Sequence, residues 1–284
     1  SQRGGTRLRE ISYKLESDGF AASDLSLLAE HLLGSGVREY AVQDGKGSYV
    51  WVVLNDGTLA VLTLHPEQQV SAWQRVEIPE CRVLHVATLP RAGAEWDEVW
   101  LVLQRGTGRK LSLHRICPEN PYLDASLRIT SNSMGYAREL THHADSDVLL
   151  LKDGEALGTV HIDYTCTIGN LEPDSTYVIG YPYTSELHTL PLESMNSFNS
   201  VRELSRLRLR LQESSLNAEY KATHAERWEK LEADRLHLSE PYTGSVRLSH
   251  MPEAAVGQGL CLRSTGLADF RLLGLTVEVD HHGK

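Results

Sequence analysis

The sequence has few cysteines and no closely spaced pair of them. Its 284 residues include four: Cys81, Cys117, Cys166 and Cys261. Because none belongs to a CxxC pair, the spacing supports neither a zinc knuckle nor a dense disulfide framework. Lone cysteines usually act as small apolar side chains, so we predict four reduced packing residues.

Long apolar runs are also lacking. No stretch approaches the roughly 20 apolar residues that span a bilayer, so the sequence predicts no membrane span. The first residues, SQRGG, have no signal-peptide core. The net charge of -10 argues against a protein that coats nucleic acid through a basic surface. A pore through which DNA passes without sticking remains compatible with that charge.

Recognisable catalytic motifs are absent as well. There is no GxSxG elbow, Walker-type loop or HExxH helix. The loop RGTGRK at 105–110 lies between two predicted strands, so we interpret it as a hairpin turn and not as a phosphate cradle. His142, His143, Asp145 and Asp147 form a polar cluster without metal-ligand spacing, which predicts a solvated loop; a hydrolase using this cluster is the alternative. The sequence therefore predicts no enzyme, with no catalytic, cofactor-binding or metal site.

The first region, residues 1–36, has an extended run at 9–13 followed by a predicted helix. Three leucines recur at helical spacing: Leu25, Leu28 and Leu32. Ser23 or Asp24 is placed to cap the first turn, and Gly34 to end the helix.

A strand–turn–strand unit is duplicated between Tyr49 and Arg115. The run VWVVL at 50–54 recurs as VWLVL at 99–103, an offset of 49 residues, and the first run turns back at Asp56-Gly57. The same offset aligns Gly106 with Gly57, and it aligns Leu111 and Leu113 with Leu62 and Leu64. Short strands precede the two hairpins, at 37–42 and 83–89. Recurrence of such strands every 40–50 residues or so is typical of a β-propeller blade.

We therefore predict two propeller-like blades over residues 37–125. Two blades cannot close a propeller, so either further blades lie upstream or the two units pack as a smaller sandwich.

Residues 126–193 predict a small antiparallel barrel or sandwich, with strands beginning near Asp147, Gly158 and Tyr177. Residues 194–284 predict a C-terminal β-rich platform with strands at 201–211, 244–249 and 270–279. A charged insertion at 217–238 fits either a helix or a long excursion. The predicted fold class is mainly β, with few helices.

An arginine row stands in the strand at 201–211. Arg206, Arg208 and Arg210 alternate with Leu207, Leu209 and Leu211, which predicts one buried leucine face and one arginine face. The arginine face is either a solvated surface or a contact for carboxylates or a polyanion. We favour pairing with a neighbouring subunit over DNA contact, because a conduit that bound phosphates tightly would retard DNA.

Several runs, taken in order, resemble the nozzle proteins of short-tailed bacteriophages, also called tail tubular or tail stabilisation proteins. They cover about two thirds of the chain. The matching runs are REISY at 9–13, DLSLLAEHL at 24–32, WVVLNDGTL at 51–59, EQQVSAW at 67–73, EVWLVLQR at 98–105 and YLD at 122–124, with a weaker match over 152–187.

The resemblance covers only the C-terminal portion of such proteins, which are usually much longer. It implies a homohexameric ring below the head-to-tail connector, with propeller and platform parts around a channel for DNA ejection. Further expected partners are the connector or adaptor and tail fibre or tail tip proteins, while DNA would pass without sequence-specific binding. The expected location is the virion tail, assembled in the host cytoplasm. The alternative function is a β-propeller recognition module that binds a protein or a glycan through its loops.

Overall fold

A computed structural model of the chain describes residues 5–45, 48–106, 111–116, 122–191, 202–231, 241–248, 251–255, 259–264, 267 and 269–281. The regular structure in these ranges is β, apart from three single-turn 3₁₀ helices at Leu15–Ser17, Pro66–Gln68 and Thr141–His143. The mainly β prediction is therefore confirmed. Within these ranges no helix has the length and apolar character needed to cross a bilayer.

The chain divides into two compact units, residues 1–121 and 122–284. The finer division into four regions stays a prediction. Three of the four cysteines, Cys81, Cys166 and Cys261, lie in the described ranges, and Cys166 and Cys261 are free thiols.

The first unit contains three successive antiparallel sheets. Its strands are β1 (Arg9–Lys14), β2 (Gly19–Asp24), β3 (Val37–Gln43), β4 (Ser48–Leu54), β5 (Leu59–His65), β6 (Val70–Val76), β7 (Cys81–Leu89), β8 (Glu98–Arg105) and β9 (Leu111–Arg115). Strands β1 and β2 form a hairpin, β3-β4-β5-β6 form a meander of four, and β7-β8-β9 form a meander of three. Within each sheet every strand pairs with the next one along the chain, so the connections inside a sheet are short.

The four-stranded sheet is apolar on both faces because period-2 alternation places aliphatic residues above and below it. One face packs with residues that precede the sheet, in a cluster formed by Leu8, Leu33, Val50, Val52, Leu54, Ala60 and Leu62. The other face packs against the three-stranded sheet, in a cluster formed by Val53, Leu59, Val83, Val86, Val99, Leu101 and Leu103. The two larger sheets are thus stacked face to face.

The predicted helix at 24–32 is wrong. Residues 25–35 form consecutive tight turns. They are closed by hydrogen bonds between residues three apart, from Ala29 N–H to Ser26 O and from Leu32 N–H to Ala29 O. The buried Ser26 hydroxyl donates to Asp24 Oδ1 at 2.7 Å and accepts from Leu8 N–H at 3.2 Å. Side-chain bonds of this kind offer the backbone an alternative to a helix, and burial of Leu33 in the sheet core fixes it.

The duplicated hairpins are both present, but their return strands do not align at the predicted offset. In the first hairpin Val53 pairs with Leu59, and in the second the corresponding Val102 pairs with Leu113. Leu113 lies 54 residues after Leu59, so alignment of Leu113 with Leu64 is wrong. The second connection, 106–110, is longer, and its length sets the register of the returning strand.

The second unit begins with one four-stranded sheet. Its strands are β10 (Leu123–Thr130), β11 (Ser146–Lys152), β12 (Glu155–Ile162) and β13 (Thr176–Pro182), in the order β10-β13-β11-β12. The strands predicted near Asp147, Gly158 and Tyr177 are confirmed. The described residues here form an open sheet and no closed barrel.

Two further sheets pack face to face in the rest of the second unit. Their strands are β14 (Ser185–His188), β15 (Arg202–Ser214), β16 (Ala218–Ala222), β17 (Glu229–Lys230), β18 (Tyr242–Arg247), β19 (Met251–Ala255), β20 (Leu260–Ser264) and β21 (Leu272–His281). One sheet has the order β14-β20-β16-β17, and the other has β18-β15-β19 with β21 also paired to β15. Leucines of β15 share a buried cluster with Tyr220 of β16 and Leu262 of β20.

The predicted charged insertion at 217–238 begins as sheet. Strands β16 and β17 occupy its first part, and residues 232–238 lie outside the described residues. Neither a helix nor a long excursion is therefore found up to Leu231.

Candidate functional site: an arginine face on β15

Strand β15 has the alternation that its sequence predicts. Leu207, Leu209 and Leu211 are buried, with at most 1% of their surface exposed. Arg208 and Arg210 are exposed on the opposite face. Arg206 belongs to the same strand, but its side chain lies outside the described residues. The prediction of a leucine face and an arginine face is thus confirmed at Arg208 and Arg210.

A third arginine joins this face from the neighbouring strand. Strand β15 lies between β18 and β21, so Arg208 is directly opposite Arg247 of β18 and Thr276 of β21. Arg210 is opposite Ser245 and Gly274 in the same way. We call the exposed set Arg208, Arg210 and Arg247 the arginine face. Sequence reasoning missed Arg247, although the run Ser245-Val246-Arg247 has the polar–apolar alternation that placed it on a sheet face.

The three arginines differ from their neighbours in how their charges are compensated. Arg263 of β20 donates from Nε to Glu219 Oε2 at 2.5 Å, and its guanidinium lies 4.2 Å from the Trp228 ring. Arg271 donates to Asp269 Oδ2 at 2.6 Å. Among the described residues, no ion pair joins the arginine face to a carboxylate. Glu278 lies two residues after Thr276 on β21, so this acidic residue is on the same exposed side of the sheet as the arginine face.

This arrangement costs the sheet some stability and suits a ligand. Like charges directly opposite on neighbouring strands are destabilising by a few tenths of a kcal/mol to about 1 kcal/mol. Guanidinium groups are planar forks that bind carboxylates or phosphates through two parallel hydrogen bonds. The exposed hydroxyls of Ser245 and Thr276 lie beside them. The face can therefore receive a row of carboxylates or phosphates.

The histidine–aspartate cluster noted in the sequence does not form one site. His143 is 2% exposed, its Nε2 lies 2.9 Å from the carbonyl oxygen of Ala125, and its ring packs 5.4 Å from that of Tyr181. Asp147 instead contacts His161, with Oδ1 2.8 Å from Nδ1. In the described part of the chain, no group of three His, Cys, Asp or Glu side chains is placed to hold a metal ion. The glycine-rich loop at 105–110 is described only as far as Gly106, which turns with φ of 67°.

Comparison with protein-family models and with curated proteins finds no match to this chain.

Proposed function

We propose that the chain is a structural, non-enzymatic subunit of a phage tail nozzle, a ring below the head-to-tail connector through which DNA is ejected. The observation that carries the proposal is the arginine face, a row of exposed cations on a sheet whose other face is fixed in a core. The ordered series of motifs that resembles nozzle proteins supports the phage role. The finer fold proposed here is that the stacked sheets of the first unit are blades of a β-propeller.

A second copy of the chain is the partner that suits the arginine face. The chain has 38 acidic and 28 basic residues, so another copy offers a carboxylate-rich surface. Arginine–carboxylate pairs with bidentate geometry would fix the orientation of neighbouring copies as well as attract them. The same acidic excess repels DNA phosphates, which suits a conduit. The remaining proposed partners are a connector or adaptor, tail fibre or tip proteins, and DNA in transit.

Electron microscopy of the purified chain, alone and mixed with the connector of the same phage, tests the proposal. Rings of about six copies are expected, as the resemblance implies. Arg208→Glu with Arg210→Glu should weaken ring formation without lowering the thermal midpoint of the isolated chain, because both side chains are exposed and the repulsion by Arg247 is relieved. A matched control is Arg227→Glu, which reverses a charge at another exposed arginine and should leave the rings intact. A stable monomer that never joins a tail, or one that binds a protein or glycan by itself, would contradict the proposal.

A further inference from the structure

The β1–β2 hairpin reproduces the outer half of the four-stranded sheet. In β1–β2 the strands are joined by the 3₁₀ helix Leu15–Ser17 and then Asp18, whose φ is 44°. In β5–β6 they are joined by Pro66–Gln68 and then Gln69, whose φ is 54°. Lys14 pairs with Gly19 as His65 pairs with Val70, so each residue of the first hairpin has an equivalent 51 residues later.

The packing follows the same equivalence. Leu8 corresponds to Leu59, and Leu25 corresponds to Val76. Leu8 and Leu25 pack on the four-stranded sheet, whereas Leu59 and Val76 pack with the three-stranded sheet that follows. The hairpin is therefore a half-sheet that stacks on the next sheet just as that sheet stacks on its own successor. The first unit contains this interface twice.

The three-stranded sheet β7-β8-β9 presents the same kind of face again, and no other sheet described in the first unit packs on it. Trp100 pairs with Ala87 and Arg115, as Trp51 pairs with Ala41 and Val61. Leu113 is then the equivalent of Leu59. Leu59 is 0% exposed, while Leu113 and its neighbour Leu111 are each 62% exposed. We call Trp100, Val102, Leu111 and Leu113 the trailing face.

The half-sheet presents the complementary face at the other end of the stack. Ile11 corresponds to Leu62 and Tyr13 to Leu64. Leu62 belongs to the cluster that the four-stranded sheet forms with Leu8 and Leu33, and Leu64 packs against that cluster. Ile11 is 71% exposed, Tyr13 51% and Phe20 78%. The Tyr13 and Phe20 rings contact each other edge to face at 5.6 Å. We call Ile11, Tyr13 and Phe20 the leading face.

We propose that the trailing face of one copy stacks on the leading face of a second copy. The chain carries both halves of one more interface of a type that it already forms twice, and exposed apolar faces of this kind mark interaction surfaces. Leu8 and Leu62 share one buried cluster, and their equivalents are Leu113 and Ile11. Leu113 of one copy therefore meets Ile11 of the next.

Such a contact is head to tail, so repetition generates a ring or a filament. The proposal uses a surface distinct from the arginine face and does not depend on a role in a phage tail.

Mixed single-cysteine variants test the contact. Ile11→Cys and Leu113→Cys proteins should form a disulfide-linked dimer when they are mixed under mild oxidation, whereas each variant alone should remain at the wild-type background set by the native thiols. The matched control mixes Ile11→Cys with Leu157→Cys, a substitution at a leucine of β12 that is 58% exposed. This mixture should give no dimer above background.

Sedimentation supplies a second measurement. The wild-type chain should self-associate, and Leu113→Glu should raise the dissociation constant roughly tenfold or more because it places a charge in an apolar interface. Leu157→Glu should leave the constant unchanged. A wild-type chain that stays monomeric overturns the proposal, as do dimers formed by one variant alone or association that Leu113→Glu does not weaken.

Discussion

Arg208 and Arg247 lie directly opposite each other on β15 and β18, with both side chains on the exposed face of the sheet. The inner face of the same strands is leucine and valine in a closed core, so neither arginine can turn away from the other by a register change. An opposed pair of cations is unfavourable in the isolated chain and becomes favourable once carboxylates lie between them. Under the proposed function, carboxylates of a neighbouring copy would relieve this repulsion.

Removing one of these charges should not weaken the isolated chain. For Arg247→Gln we expect a free energy of unfolding that is unchanged or higher by up to about 1 kcal/mol, because the repulsion across β15 and β18 is relieved. The gain should shrink as salt is added, since exposed charges are screened. Urea unfolding at low and high sodium chloride measures both effects. A clear loss of stability would show that Arg247 is held by a structural contact.

Removing a paired arginine in the same unit should have the opposite effect. Arg263→Gln loses the ion pair with Glu219 and the contact with the Trp228 ring, which together are worth about 1 kcal/mol at a partly exposed site. Urea unfolding in parallel with Arg247→Gln gives the comparison. Equal responses of the two variants would contradict the distinction between the arginine face and the structural arginines.

The repeat equivalence of Leu59 and Leu113 predicts unequal costs for the same substitution. Leu59→Ala should lower the free energy of unfolding by about 2–5 kcal/mol, because it opens a cavity between two stacked sheets. Leu113→Ala should cost less than about 1 kcal/mol in the monomer, since its side chain is 62% exposed. Thermal or urea unfolding at a dilution that prevents association measures the pair. A large loss at Leu113 would mean that its face is covered within one chain.

Local patterns predicted the strands well. Asp56-Gly57 between two aliphatic runs was enough to place the β4–β5 turn, and the alternation of Leu207, Arg208 and Leu209 was enough to assign both faces of β15. These signals are short-range, because turn chemistry and period-2 burial are set by adjacent residues.

Non-local pairing was the part that the sequence did not reveal. Leu25, Leu28 and Leu32 have helical spacing, but the hydrogen bonds of Ser26 and the burial of Leu33 decide that segment. The sequence analysis therefore predicted neither strand β2 nor its pairing with β1 in the half-sheet. Arg247 was missed because its meeting with Arg208 depends on strand order, which no single run of residues encodes.

The two turn glycines that the sequence aligns should respond differently to alanine. Gly57 has φ of +86°, and an added Cβ would lie 2.9 Å from side-chain atoms of Arg82. Gly106 has φ of +67°, and no atom of the described residues lies within 4 Å of that position. Gly106→Ala should therefore cost only the left-handed strain, about 1 kcal/mol, and Gly57→Ala should cost measurably more. Urea unfolding of both variants checks the order, and equal losses would show that Arg82 moves aside freely.

Asp24 should make the first unit sensitive to acid. Its pKa lies below the ordinary value, chiefly because its carboxylate accepts a hydrogen bond from the Ser26 hydroxyl, and further because it accepts one from the Ser26 N–H. Since the folded chain favours the ionised form, its contribution is present above the unfolded pKa of about 3.9 and is lost as the pH falls through the folded pKa.

Asp24→Ala should therefore lower the thermal midpoint at neutral pH, and the difference from wild type should narrow as the pH falls below about 4. Glu67→Ala, at an exposed carboxylate of the same unit, is the control and should show no such convergence. Thermal unfolding followed from pH 7 to pH 3 measures both variants. A wild-type advantage that persisted undiminished at pH 3 would mean that Asp24 stabilises the turns at 25–35 through contacts that do not require its charge.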